Sequence, residues 1–359
     1  MDAPLFVIEE SEEYFGPFYP FVKDIDITDI DYNGRELWIT RSNSRREKIN
    51  NVIITADFVE QFTKRVSNTV SLPFHKHSPV LEAETDTLRI TIVHESVAIS
   101  GRSICIRKSM PYVRMTEESM IQSGYCTKEI LALLKNCVKA RMNMVFAGEP
   151  GAGKTELGKF FSKYIPACDR VITIEDTPEW HYSRLNPGKD CVELKISDRM
   201  DYTKAIKTCL RLNPRWMFVS EVRSKEVIYL LESFSTGVRG FTTLHTDDVR
   251  KVPDRMLNMS GINTYESRLE NDIFSFIDVA VLIRKQDFID SEGKASVRRF
   301  IDQVCFFYRE NGVNTIAMIY ESNTLLNPAI PDSVKKRMQT YGIEDLYSFR
   351  EEAGIEKAE

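Results

Sequence analysis

Gly148-Glu149-Pro150-Gly151-Ala152-Gly153-Lys154-Thr155 has the spacing G-x-x-x-x-G-K-S/T. The fixed residue types of that pattern suit a bound phosphate group. Gly151 and Gly153 have no Cβ, so backbone N–H groups can turn inward around phosphate oxygens. Lys154 can reach β- and γ-phosphates, and the Thr155 hydroxyl can ligate Mg²⁺. A helix opening at Lys154 would aim its positive end at the same anion. Such a site also needs carboxylates to hold metal and orient water. VITIEDTPE places Glu175 and Asp176 at the end of an apolar run, with Glu179 beyond, and WMFVSE ends on Glu221. His245 closes FTTLHT and can donate to a phosphate oxygen. Strand-end acids also cap helices and form turns, and a lone histidine is often structural, so both readings stay open on residue type alone.

These groups can meet only if the intervening chain is built to position them. NMVFAG (143–148) reads as a buried strand before the glycine-rich loop, and TELGKFFSKYI (155–165) as a helix after it. RVITIED (170–176), WMFVSE (216–221) and FTTLHT (241–246) read as strands. The segments 128–141, 202–212 and 225–236 carry helical apolar faces. Strands alternating with helices predict βαβ units and a parallel sheet. In open α/β sheets ligands sit at the carboxyl ends of the strands, so Glu175 and Glu221 should converge on the phosphate loop. The last hundred residues return to strands and end in a helix near 332–341.

The preceding part has a different pattern. Aromatic and proline residues over 1–22 suit a packed arm. Asn33-Gly34 between DIDITDIDY and RELWIT is a hairpin signal. LRITIV (88–93), VAIS (97–100) and SICIRK (103–108) alternate with period two, and Phe58, Phe62, Val66 and Val70 share a helical face within 56–70. The expected organisation is an α+β domain over 1–112, a linker over 113–124, and an α/β domain with a strand and helix extension over 125–359.

At 359 residues the chain is long enough for two such domains. It carries 48 Lys and Arg against 53 Asp and Glu, a net charge of −5. That balance argues against a chain built to grip nucleic-acid phosphates. Seven scattered cysteines without Cys-x-x-Cys fit a reducing compartment and give no zinc site. His75 and His77 form a His-x-His pair with no accompanying ligand cluster. The acidic start MDAPLFVIEESEEYFG is unlike a signal peptide, and no apolar run reaches the ~20 residues of a membrane span. A cytoplasmic location is expected, with docking on a membrane protein left open.

The ordered series of motifs resembles a known family. The phosphate loop is followed by TIEDTPE, then by Leu-Arg-x-x-Pro…Glu-Val-Arg, then by Gly-x-x-Gly…Thr-x-His. This looks like the type II/type IV secretion ATPase superfamily, the hexameric motors of conjugation, secretion and type IV pilus machines. ITDIDYNG (27–34) and RITIVHESVAISGRSICIRK (89–108) resemble its tight-adherence pilus and conjugative-secretion branch. The resemblance covers about residues 24–310. It implies an α/β fold, with a RecA-like P-loop core and a smaller N-terminal α+β domain, and it implies ATP with Mg²⁺.

Carried over by position, Gly148, Glu149, Pro150, Gly151, Ala152, Gly153, Lys154 and Thr155 would bind the nucleotide. Thr155 and Glu175 would hold Mg²⁺, with Glu175 also positioning water. Glu221 would be the general base, Arg223 follows it, and His245 stands in the family's histidine box. Arg89 and Arg107 fall on arginines that reach the nucleotide in this family; the same two residues also suit a surface strand. The resemblance further implies a hexamer at the inner face of the membrane, acting on a platform protein. Movement of the first domain about the linker would drive assembly of, or export through, the machine.

Three positions depart from the family pattern: Asn213-Pro214-Arg215 before the second acidic strand, Ser220 before Glu221, and Thr246-Asp247-Asp248 after His245. The tetracysteine metal module of the pilus-assembly branch is also missing. A nucleotide-gated scaffold with little turnover and a P-loop motor on DNA are the alternative readings.

Overall fold

The computed structural model describes residues 8–261, 266–289, 293, 295–326 and 330–350. The chain divides into two compact units. One runs to Pro111 and takes in Gln286–Arg298; the other comprises Tyr112–Lys285 and the chain from Arg299 onward.

In the first unit a six-stranded sheet has the order β3-β2-β1-β6-β5-β4. Its strands are β1 (Ile27–Tyr32), β2 (Leu37–Arg41), β3 (Arg46–Ile49), β4 (Val80–Glu84), β5 (Leu88–Val93) and β6 (Ser103–Lys108). Neighbouring strands pair antiparallel. The Asn33-Gly34 turn joins β1 to β2, with Gly34 at φ +94°. Helix α1 (Ala56–Val70) is capped by Thr55, whose hydroxyl accepts from the Phe58 N–H. Phe62 and Val66 on its inner face are fully buried in the same core as Ile30, Ile90 and Ile106. Of the 1–22 arm, the first seven residues lie outside the described ones. The rest forms short helical turns at Glu12–Phe15, Gly16–Phe18 and Tyr19–Lys23, which bury Phe15, Phe18 and Val22 respectively. VAIS (97–100), expected as a strand, is a turn instead. Val97 and Ala98 both donate to the His94 carbonyl, and Ile99 is 99% exposed, so no pleated face is there to bury it.

The second unit begins with helix α2 (Glu117–Gln122). This corrects the reading of 113–124 as a linker. Thr116 and Ser119 form a capping box, and Met120 is 1% exposed within the unit's core. Helix α3 (Lys128–Lys139) follows, buried on most of its surface. Then come β7 (Met144–Ala147), α4 (Lys154–Ser162), β8 (Val171–Glu175), β9 (Cys191–Lys195), α5 (Tyr202–Cys209), β10 (Trp216–Val219), α6 (Glu226–Ser235) and β11 (Arg239–Leu244). The chain continues with α7 (Val252–Ser260), α8 (Glu266–Phe276), β12 (Val279–Ile289), β13 (Ala295–Glu310), β14 (Val313–Glu321), β15 (Thr324–Leu325) and α9 (Asp332–Thr340); of β12 and β13, Gln286 onward and the part up to Arg298 belong to the first unit.

The sheet order is β15-β14-β13-β12-β7-β11-β10-β8-β9, and β12 through β9 pair parallel. Every residue of β7, β8 and β10 is buried. Phe146, Trp216 and Phe218 join one core, while Val145, Met217 and Val219 join the other. That is why these strands read as unbroken apolar runs: both faces are covered by helices. Strands β8, β10 and β11 all end on the edge where the glycine-rich loop leaves β7, which gathers their terminal residues around it. Among the described residues no helix is long and apolar enough to cross a membrane.

Gly158 lets α4 approach the chain beyond β8. A Cβ built there would stand 2.2 Å from the Trp180 ring. Gly158→Ala is therefore expected to lower stability by about 1–3 kcal/mol through overpacking. Urea unfolding measures this, and an unchanged midpoint would contradict the contact.

Candidate functional site

The loop leaves β7 at Gly148, where φ is +149° and a Cβ would stand 2.5 Å from the Ile283 carbonyl oxygen. It ends at Gly153, in the left-handed region at φ +96°, which caps α4 without a side-chain partner for the first-turn N–H groups. An uncapped helix N-terminus opening from a glycine-rich turn is backbone geometry that suits an anion. Lys154 is 8% exposed and folded back. Its Nζ donates to Gly148 O, Glu149 O and His245 Nδ1, each at 3.1 Å. Three protons thus meet three acceptors. Burial holds its pKa down to about 8, opposed by the charges of Glu221, Glu179 and Glu149.

His245 continues the chain of contacts. Lys154 can only donate, so where that contact is made Nδ1 accepts and Nε2 donates to Glu221 Oε1 at 3.0 Å; the Gly148 carbonyl, also 3.1 Å from Nδ1, is the acceptor for the other tautomer. The other oxygen of Glu221 takes both Nε (2.9 Å) and Nη2 (2.7 Å) of Arg223, whose Nη1 lies 3.4 Å from Asp176. Glu221 also holds the Arg223 pKa up. Lys154, His245, Glu221 and Arg223 therefore form one continuous line across the ends of β7, β11 and β10. Ser220 is accommodated: its hydroxyl meets Tyr202 OH at 2.9 Å, and its carbonyl accepts from Thr243 at 2.6 Å.

Glu175 departs from its expected role. Its Oε2 accepts from the backbone N–H of Glu179 (2.7 Å) and of Trp180 (2.9 Å), and the residue is 4% exposed. Those contacts turn its carboxyl inward, so it shapes the 176–180 turn instead of facing Thr155. The Thr155 hydroxyl donates to Glu179 Oε2 at 3.0 Å. A hydroxyl beside a carboxylate is a hard-oxygen pair that suits Mg²⁺. Sequence reading names Glu179 beyond the strand and gives it no role; it is the last acid of Glu-Asp-Thr-Pro-Glu, after the proline.

Burial pushes the Glu175 pKa from 4.5 to about 7. A carboxyl raised in the native state makes stability fall as pH rises from the unfolded value through the folded one. Glu175→Gln keeps an acceptor for both N–H groups and cannot ionise. Between pH 5 and pH 8 its stability is expected to improve relative to the parent by up to ~3 kcal/mol. Denaturant unfolding at both pH values tests this, and a pH-independent difference would contradict it.

In the first unit Arg89 and Arg107 are direct cross-strand partners on β5 and β6, and Asp29 on β1 faces Arg107. Arg107 donates to Asp29 at 2.9 Å, and Arg89 lies 3.4 Å from Glu82. Two like charges opposite each other are unfavourable unless an anion is near, and these acids supply one to each.

The comparisons with known proteins agree with this architecture. A model of the family described as Type II/IV secretion system protein matches residues 80–341. A protein of Bacillus anthracis, itself described as uncharacterized, is 30% identical over 264 residues, covering 72% of this chain and 59% of that one. The conjugal transfer protein TrbB of Rhizobium radiobacter is 26% identical over 191 residues, covering 52% of this chain and 57% of its own. The chain thus spans under two thirds of the length of these curated relatives. The X-ray structure of the Yersinia pseudotuberculosis ATPase DotB superposes with a TM-score of 0.62 at 15% identity, covering 84% of this chain and 81% of that one. That likeness shows the fold: an α/β RecA-like core preceded by a smaller N-terminal unit.

Proposed function

The chain belongs to the Type II/IV secretion system protein family, and from that premise we propose that it is an ATPase that powers a secretion or type IV pilus-like machine. The observation that carries this reading is the unbroken line from Lys154 through His245 to Glu221 beside the glycine-rich loop. A lysine opening α4, with a histidine and a glutamate just past the ends of the adjacent parallel strands β11 and β10, can bind a triphosphate, hold a base and activate water.

In this reading Lys154 exchanges its carbonyl and histidine acceptors for β- and γ-phosphate oxygens. Thr155 and Glu179 would hold Mg²⁺, which when bound neutralises charge on the transferring phosphoryl group. Glu221 takes a proton from water as the water oxygen attacks the γ-phosphorus. The bond to the β,γ-bridging oxygen breaks, and ADP leaves with that oxygen. His245 steadies Glu221 through its Nε2 proton. Arg89 and Arg107 would, as the family resemblance implies, supply positive charge to the developing transition state.

We further propose a ring of identical subunits, six as the family resemblance implies, at the cytoplasmic face of the inner membrane. Loss of the γ-phosphate would free the arginines and let the first unit move. A platform protein in the membrane would receive that movement. A phosphate-release assay on the full chain tests the enzymatic core. Turnover that disappears in Lys154→Ala and Glu221→Gln supports a motor; ATP binding without turnover would make the chain a nucleotide-gated scaffold instead.

A further inference from the structure

Two cations that belong to no motif hold the phosphate loop from outside. Strand β12 pairs with β7 as far as Leu282 opposite Ala147 and then continues past the end of its partner. Its next residues therefore flank the glycine-rich loop. From there Lys285 Nζ donates to Pro150 O at 3.2 Å, with the Glu149 carboxylate 3.8 Å away. On β13, Arg299 donates its Nε–H to Gly151 O at 3.1 Å. Its Cδ lies 3.7 Å from the place a Cβ on Gly153 would take.

A trans peptide is planar, and its C=O and N–H point in opposite directions. Anchoring Pro150 O on Lys285 turns the Gly151 N–H to the other side of the loop. Anchoring Gly151 O on Arg299 does the same for the Ala152 N–H, which here donates back across the loop to Glu149 O at 3.2 Å. The two cations thus fix the planes of the Pro150–Gly151 and Gly151–Ala152 peptides, and with them the shape of the turn that a triphosphate would enter. Hydrogen bonds from charged donors are roughly twice as strong as neutral ones, so these contacts fix a loop of glycines that would otherwise be costly to order on binding.

We propose that Lys285 and Arg299 are positioning residues of the nucleotide site, acting through the Pro150 and Gly151 carbonyls to pre-orient the phosphate loop. This rests on the reading of residues 148–155 as a triphosphate site. It predicts a defect in nucleotide affinity and not in the chemical step, because a preformed cradle serves bound substrate and transition state alike.

The test is calorimetric titration of the full chain with Mg²⁺ and a non-hydrolysable ATP analogue. It compares the parent with Arg299→Met, Arg299→Gln and Lys285→Met, with the unfolding midpoint of each recorded. Arg299→Met keeps the aliphatic stem and loses the donor, and is expected to raise Kd about tenfold; Lys285→Met is expected to raise it about threefold. Arg299→Gln puts Nε2 the same number of bonds from Cα as the arginine Nε, so its Kd is expected to return most of the way to the parent's. In steady state KM for ATP rises in the Met variants while kcat stays within about twofold. Parent-like affinity in Arg299→Met overturns this inference and leaves the proposed function standing. Gln and Met equally weak, with unchanged unfolding midpoints, also overturns it. If Arg299→Met does not fold, Lys285→Met decides, and a parent-like Kd there is against the proposal. A parent protein that binds no nucleotide removes both readings.

Discussion

Lys154→Ala is expected to reduce ATP turnover by about 10³-fold and to weaken ATP binding with it. Lys154 is the single cation buried within the loop's own turn, and its three protons are all committed to Gly148 O, Glu149 O and His245 Nδ1. A triphosphate competes for those protons, and no neighbouring side chain on α4 can substitute, since Thr155 and Glu156 carry no positive charge. The fold is expected to survive the change, because burial disfavours the lysine's charge and its acceptors lie beside a loop that water can enter. The same group gives a pH signature. With its pKa held near 8 in the free protein, Lys154 is charged below that pH and loses its proton above it. A bound polyanion favours the charged form, so binding near pH 8 to 9 should take up a proton, and affinity should decline as pH rises through that range. Titrations in buffers of different ionisation enthalpy measure the uptake. Proton uptake that persists in Lys154→Met, or turnover within tenfold of the parent in Lys154→Ala, would contradict the assignment.

Glu221→Gln is expected to separate binding from chemistry. General-base catalysis is typically worth about 10²–10⁴ in rate, so kcat should fall by that order while the analogue Kd stays within about threefold of the parent. The geometry explains why glutamine is the informative replacement. Its amide can still accept from Arg223, as Glu221 does at 2.9 and 2.7 Å, but it cannot take a proton from water. The contact with His245 Nε2, now 3.0 Å from Oε1, then survives only if the imidazole proton moves to Nδ1 toward Gly148 O. Single-turnover phosphate release together with equilibrium titration distinguishes the outcomes. An unchanged rate would remove Glu221 as the base, and a lost affinity would make it a structural brace of the loop.

The buried parallel strands were legible because MVFA, VITIE and WMFV are apolar on both faces, as strands covered by helices on each side must be. Asn33-Gly34 announced its hairpin through turn chemistry. VAIS misled because alternation over four residues carries no information about whether a face is there to bury it, and Ile99 has none. The 113–124 stretch misled because Thr116-x-x-Ser119 is a capping box without the usual glutamate, so a short helix looked like a polar connector. At the site, the phosphate loop, Glu221 and His245 could be placed from sequence because each ends a recognisable strand. The inward turn of the Glu175 carboxyl could not, since it depends on which carboxyl two backbone N–H groups capture. The contacts of Lys285 and Arg299 were invisible for a similar reason: Lys285 reaches the loop because β12 outruns β7 and Arg299 comes to it from β13, matters of register that no local pattern encodes.

The account stands on a triphosphate lying in the turn around Lys154 with Glu221 and Glu179 beside it. A crystal structure of the full chain with Mg²⁺ and a non-hydrolysable ATP analogue tests this directly. The predicted result is density for three phosphates within residues 148–155, Lys154 Nζ moved from the Gly148 and Glu149 carbonyls onto the phosphate oxygens, and the Glu221 carboxylate turned toward the terminal phosphate. Nucleotide bound elsewhere, or Lys154 still tied to those carbonyls beside a loop with no phosphate in it, would contradict the account.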